Sequence, residues 1–441
     1  MPLPRGRHFA VTWGIPAQPG GMTTALLHRS QLFAASGRPV TIVTFELRDD
    51  PVRSVGGVPV ANLWEWLREN PVAPGRLRHS LEATGTRRDS DGRLLQVDHY
   101  RADGSLAVID RRDLRERGVL GGRAVVLHDE SGTPVRSFGR AWALYRWWLD
   151  QLTAGERSWL IVDSKTAANP LATYRRRHVT VVHLVHNSHL DAGGSALRPS
   201  RRRVFERLDA FDGVVLLTRS QRRELVGDNL AVIPNSIPLP PRAAAPRSGV
   251  VVLASLTARK RVDHAIRAAG AAGVPLEVFG AGPRRGALEQ LGGEVAFRGH
   301  VPGARQRLAT ASAILLTGDA EGFPLVLLEA MAAGCIPIAY DVRYGPADIV
   351  RDRRNGYLVP PGDVAALAAA LTEFLALPLR AQQRMRAAAR RAAARYRDGA
   401  VLRRWSREFR RAARRARRRR GELVSQRLGR RVSTARARSG G

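Results

Sequence analysis

The sequence predicts an α/β protein of two Rossmann-like domains with a β-rich insertion in the first. Three observations predict it. Residues 8–45 open as strand, glycine turn, helix and strand; a second series of buried strands follows a proline-rich stretch at 234–249; and short alternating runs occupy residues 76–140. A chain of 441 residues exceeds one ordinary core, and an apolar content of 44% is enough for two.

The elements follow in order. His8 to Trp13 is apolar, Gly20 and Gly21 make a turn, Met22 to Ser36 is helix-like and Val40 to Phe45 is a strand. Leu94 to Tyr100, Ser105 to Ile109 and Arg123 to His128 alternate between Asp-Gly and Ser-Gly turns. Buried strands return at Trp159 to Asp163, Val179 to Val185 and Val214 to Thr218. Five prolines between Pro234 and Gly249 read as a linker. Beyond it, strands are expected at Val250 to Leu256, Leu276 to Phe279, Val295 to Phe297, Ala313 to Thr317 and Ile336 to Tyr340. The domains are thus residues 1–75 with 141–235, the insertion 76–140, the second domain 236–383, and an Arg-rich helical or disordered segment 384–441. In that segment Tyr396, Trp405 and Phe409 are expected to pack, and nothing apolar recurs beyond about Arg414.

Composition narrows the function classes. No apolar run approaches the roughly 20 residues that span a bilayer, and the start carries no export-signal pattern. One cysteine, Cys335, excludes a disulfide within the chain, which favours the cytoplasm. The net charge is +33, and residues 384–441 hold 22 arginines against three acids. Such a tail attracts polyanions: nucleic acid, anionic lipid or an anionic polymer. Of 72 basic residues only Lys165 and Lys260 are lysine, so a lysine here answers a need for a compact point charge.

The chemistry concentrates in Glu321-Gly-Phe-Pro-Leu-Val-Leu-Leu-Glu329, two carboxylates seven residues apart after a buried strand. Pro324 suits the first turn of a helix, whose free N–H groups would face a ligand above the sheet. This segment resembles the E-x7-E motif of retaining GT-B glycosyltransferases. With Asp341-Val-Arg-Tyr-Gly-Pro346 and Asn355-Gly-Tyr-Leu-Val-Pro360 it is similar to the poly(glycerol-phosphate) and poly(ribitol-phosphate) α-glycosyltransferases of wall teichoic acid. The resemblance implies two Rossmann-like domains facing a cleft and a UDP-sugar donor. It places Glu321 by the sugar, with Gly322, Phe323, Pro324 and Leu325 at the diphosphate and Glu329 on the ribose.

Lys260, in Ala254-Ser-Leu-Thr-Ala-Arg-Lys260, stands in a register similar to the family's phosphate-binding lysine. The family has an arginine where this chain has Ser255, and Arg259 or Arg261 is the candidate stand-in. His186-Asn-Ser-His189 resembles the family's cleft histidines, placing both His186 and His189 among the catalytic candidates. Gly20 and Gly21 resemble the turn beneath the donor phosphate. Gly280, in Gly280-Ala-Gly282, reads equally as a nucleotide turn or a tight connection, and His300 and Val301 lie in the loop that would face the base. Asp89-Ser-Asp91-Gly92 is read as turn chemistry rather than a metal site, so no metal and no cofactor are expected.

The expected reaction is transfer of glucose or N-acetylglucosamine, with retention, to an anionic polyol-phosphate polymer. The resemblance also implies a homo-oligomer through the insertion, and the arginine tail suggests peripheral contact at the inner face of the membrane. Two other readings stay open at this point: a transferase for a lipid-linked or capsular glycan, and a non-catalytic polyanion binder on a decayed transferase fold. Nucleic acid, the obvious ligand of that last class, is disfavoured because Glu321, Glu329 and Lys260 occur together.

Overall fold

The computed structural model describes residues 2–17, 20–113, 122–191, 194, 196–241 and 247–438, with side chains as far as residue 421. An eight-stranded sheet runs in the order Leu230–Val232, Gly213–Leu216, Val179–Val185, Ser158–Val162, Arg7–Val11, Val40–Thr44, Val58–Asn62 and Ser54–Val55. Arg7–Val11 pairs in parallel with both Ser158–Val162 and Val40–Thr44, so the strand order reverses there. A six-stranded parallel sheet repeats the pattern: Val295–Gly299, Leu276–Phe279, Val250–Leu253, Ala313–Leu316, Ile336–Tyr340 and Tyr357–Val359. Its reversal falls between Val250–Leu253 and Ala313–Leu316, the point where loops on doubly wound sheets diverge to make a ligand crevice.

The β-rich stretch is a five-stranded antiparallel meander of Arg87–Arg88, Leu94–Tyr100, Leu106–Arg111, Ala124–His128 and Pro134–Phe138. Arg123 joins it to its own unit. It donates two hydrogen bonds of 2.6 Å to Asp110, lies over the Trp64 ring and reaches the Tyr145 hydroxyl. Burial opposes the Asp110 charge, yet Arg123 and Arg112 hold the carboxyl below its ordinary range. Residues 114–121, within the predicted insertion, lie outside the described residues.

Contact density divides the chain into two compact units. One comprises Met1–Leu3, Leu184–Glu206 and Gly213–Arg411; the other comprises Pro4–His183, Arg207–Asp212 and Ala412–Gly441. Among the described residues no single helix is long and apolar enough to cross a bilayer.

The last segment takes the helical of the two states expected for it. Helix Leu379–Ala393 is followed by helix Asp398–Arg438, and Trp405, Phe409, Ala412 and Ala416 of the latter are buried. Arginines supply the anchor that apolar periodicity lacks. Arg419 donates to the carbonyls of Asp209, Ala210 and Phe211 at 2.6, 2.7 and 3.1 Å, Arg415 to Asp212, and Arg420 to Arg176 and Arg177. The short 3-10 turn Leu208–Ala210 satisfies the Leu208 carbonyl through the Phe211 amide but not those of Asp209 and Ala210, and a guanidinium with five donors satisfies several at once.

His99 stacks on Trp64 at 4.7 Å, and burial pushes its pKa down to about 4, as it does for His8. A histidine whose folded pKa lies below its unfolded value of 6.5 contributes stability above pH 6.5, lost as pH falls toward 4. Urea unfolding between pH 7 and 4.5 is therefore expected to show proton uptake on unfolding, and His99→Phe should remove about one proton from the slope. Arg419→Ala is expected to lower stability by about 1–3 kcal/mol in the same assay, because three carbonyls lose a donor and that of Ala210 keeps another, from Arg175.

Candidate active site

The unit that contains the six-stranded sheet brings Lys260 and Glu321 together. Each follows one of the two neighbouring strands at the reversal: Lys260 ends the 3-10 turn Ala258–Lys260 after Val250–Leu253, and Glu321 lies in the loop after Ala313–Leu316. Lys260 Nζ is 2.5 Å from Glu321 Oε1, with 17% and 10% of the two side chains exposed. Backbone contacts fix both loops, since Thr317 Oγ1 donates to the Lys260 carbonyl at 3.0 Å and the Asp319 amide to that of Arg259 at 2.9 Å. A Cβ on Gly318 would stand 3.1 Å from Glu321 Oε1, so the pair closes over a residue without a side chain.

Glycine matters again at 322. A Cβ there would fall 1.9 Å from the His186 carbonyl oxygen and 2.9 Å from Asn187 Cα. The Glu321 loop is thus pressed against the backbone that leaves strand Val179–Val185, which unites the two motifs found separately in the sequence. On its other side the Glu321 amide donates to the Arg343 carbonyl at 3.3 Å, and the Tyr344 amide to the Glu321 carbonyl at 2.8 Å.

Phe323 is buried and Pro324 caps helix Leu325–Ala333, whose start has no side-chain cap. Pro324 therefore sits one position ahead of the predicted first turn, and the leading amides of the helix remain available for an anion. Glu329, one turn on, pairs with Arg305 at 3.0 Å. Ser255 is exposed. Of its two candidate stand-ins, Arg259 donates to the Ala320 carbonyl at 2.9 Å, and Arg261 lies 3.5 Å from both Asp263 and Asp319 and hydrogen-bonds His264. Gly280 has a packing reason, because a Cβ there would fall 1.8 Å from the Ala254 carbonyl. His300 and Val301 are exposed after strand Val295–Gly299. In the other unit, Gly20 and Gly21 begin helix Gly21–Ala35 with nothing within 4 Å of either notional Cβ. That helix is held by Arg29, which donates two hydrogen bonds of 2.8 and 2.7 Å to buried Asp163.

The two histidines differ. His186 touches the Gly322 loop through its backbone. The His189 ring is sandwiched between Phe205 at 5.3 Å and Tyr344 at 5.8 Å, nearly parallel to both. Burial lowers its pKa; Glu224, 3.8 Å away, opposes the shift, while Arg201 and Arg343 add to it. Sequence reasoning missed Glu224, Arg343 and Tyr344. The Tyr344 hydroxyl hydrogen-bonds Glu224, and Arg343 lies 3.5 Å from the same carboxylate. The available signal was position, because Arg343 and Tyr344 fall within the Asp341 to Pro346 segment already noted.

Known proteins share this architecture. The two sheets make the two-Rossmann-domain GT-B fold. It is shared with TarM of S. aureus, crystallised with fondaparinux, α-GlcNAc-glycerol and UDP (TM-score 0.71, 18% identity, 92% of this chain and 99% of that one). The pneumococcal O-GlcNAc transferase GtfA, solved with UDP and GlcNAc, is equally similar (TM-score 0.71, 16% identity, 92% and 99%). Residues 244–392 match the family "Glycosyl transferases group 1". In sequence, the chain is 38% identical over 204 residues to an exopolysaccharide phosphotransferase of Streptomyces coelicolor, covering 40% of this chain and 22% of that protein. It is 25% identical over 196 residues to the poly(ribitol-phosphate) α-N-acetylglucosaminyltransferase of Staphylococcus aureus, covering 41% and 40%. The matched segments thus span less than half of either relative.

Gly322→Ala is expected to force the loop off the His186 backbone and separate Glu321 from Lys260. Thermal unfolding should show a lower midpoint; a variant with the parental midpoint would mean that the loop has room to shift.

Proposed function

We propose that the chain transfers glucose or N-acetylglucosamine from a UDP-sugar to a hydroxyl of an anionic polyol-phosphate polymer, with retention at the anomeric carbon. The observation that carries this reading is the Lys260–Glu321 contact at the strand-order reversal of the second sheet, beside the start of helix Leu325–Ala333. In a doubly wound sheet that is where a nucleotide is held. The Lys260 ammonium and the leading amides of the helix stabilise the diphosphate as it departs. The bond from the anomeric carbon to the diphosphate oxygen breaks, the acceptor oxygen bonds to that carbon on the same face, and the acceptor's proton passes to the departing oxygen. Glu321, held by Lys260 before the donor arrives, is released toward the sugar when the ammonium turns to the phosphate, and stabilises positive charge there. Glu329 takes the ribose diol.

In this scheme cations and helix amides fill the role a metal would have, so transfer proceeds without one. The polymer acceptor follows from the similarity to the poly(ribitol-phosphate) transferase and from the basic surface. The same reading places the protein in the cytoplasm at the inner face of the membrane. The exposed arginines Arg403, Arg407 and Arg410 of the last long helix would face anionic headgroups, and the antiparallel meander would join copies into an oligomer.

The test is release of UDP from a panel of UDP-sugars, with and without polyol-phosphate polymer. Polymer-stimulated release by the parent chain, reduced about 10²- to 10³-fold in Lys260→Ala, is the expected result. Absence of both binding and turnover of every nucleotide sugar would replace this reading with that of a non-catalytic polyanion binder.

A further inference from the structure

The unit that holds Lys260 and Glu321 also contains a cation that the proposed donor chemistry does not use. Arg201, on helix Pro199–Phe205, is only 8% exposed. Among the described residues its guanidinium donates no hydrogen bond and makes no ion pair; it has no acceptor of its own. Burying an unpaired charge costs several kcal/mol, and buried arginines are ordinarily hydrogen-bonded. Elsewhere in this chain they are: Arg29 is paired with Asp163, and Arg386 donates to the carbonyls of Ser312 and Gly334.

The neighbours of Arg201 add positive charge. Burial, with the charge of Arg198 adding to it, lowers its pKa to about 10. Arg201 and Arg343 both act on the ring of His189, whose nearby acid, Glu224, already serves Tyr344 and Arg343. Asp191, in the loop that leads to the helix, accepts the Ala196 amide. The cluster adjoins the candidate site, since the Arg343 carbonyl accepts the Glu321 amide and the Gly322 loop lies on the His186 backbone. A concentration of guanidinium groups with an unused donor set at its centre is complementary to a phosphate, which accepts such donors in pairs.

We propose that Arg201, flanked by Arg198 and Arg343, is a phosphate subsite that takes a phosphodiester of the acceptor polymer near the hydroxyl that receives the sugar. This rests on the transferase reading above and deepens it: the donor diphosphate has Lys260 and the helix start, so the Arg201 cluster serves the other anionic substrate. A neutral polyol lacks the group that the subsite binds, which makes phosphodiester content a determinant of acceptor choice.

The test uses the full chain, Arg201→Met and Arg201→Lys, with a short glycerol-phosphate oligomer and UDP titrated separately by calorimetry. The Met variant should keep or raise the thermal midpoint, because a buried unpaired charge is replaced by an apolar chain of similar length. It should bind the oligomer at least tenfold more weakly and raise the KM for it to match, with UDP affinity within about twofold of parental. The Lys variant should recover part of the loss. Unchanged oligomer affinity in the Met variant would overturn the proposal, as would a parallel loss of UDP affinity, which would assign the cluster to the donor. If the parent chain binds the oligomer through Arg201 yet transfers no sugar to any acceptor, the transfer reading fails and the subsite stands.

Discussion

The candidate site depends on how tightly the loop from Gly318 to Pro324 is drawn in. It is held at Gly322, where a side chain would not fit against the His186 carbonyl, and packs closely at Gly318 against Glu321 and the Arg259 carbonyl. A third hold comes from Gly345, whose notional Cβ would meet the Pro324 ring at 2.5 Å. Two backbone hydrogen bonds between Glu321 and residues 343–344 close the remaining side. With its backbone fixed by packing, Glu321 meets Lys260 without the ordering cost that a mobile loop would add each time a ligand bound.

Arginine does a different job in this chain from the one its abundance suggests. Arg247, Arg386 and Arg390 gather at the carboxyl end of helix Leu325–Ala333, donating to carbonyls that include those of Leu308, Ala311, Ser312, Ala333 and Gly334. Their positive charge also faces the negative end of that helix's dipole. Arg415, Arg419 and Arg420 act likewise on the 3-10 turn and its surroundings. A large part of the formal +33 is therefore internal hydrogen-bonding equipment, and net charge by itself overstates the surface offered to a polyanion. Arg201 is informative by contrast, a buried residue whose guanidinium has no carbonyl to serve among the described residues.

Much of the architecture was legible in the sequence because buried parallel strands are short apolar runs between turn signals. Val179–Val185, Leu276–Phe279 and Ile336–Tyr340 fall where periodicity placed them. Val58–Asn62 did not stand out because Pro59 and Asn62 interrupt it, and Leu230–Val232 and Tyr357–Val359 are too short to carry a period. Lys260 and Glu321 could each be singled out from register, and Lys260 also from the scarcity of lysine. Tyr344, Glu224 and Arg201 could not, because their roles arise from burial and from neighbours more than a hundred residues away, which local pattern does not encode. The arginine anchors of the last helix were hidden for the same reason: a residue type that reads as solvent-facing is used here as a donor to distant carbonyls.

The long helix Asp398–Arg438 also bears on the order in which the molecule is completed. Ser406 Oγ donates to the Pro2 carbonyl at 2.7 Å and Arg410 to the same oxygen at 3.2 Å, while Leu3 is buried. On a ribosome, residues 2–3 emerge some four hundred residues before the partners that seat them. During synthesis the first strands must hold without that closing contact, and the leading residues find their place only after Ser406 and Arg410 have been made.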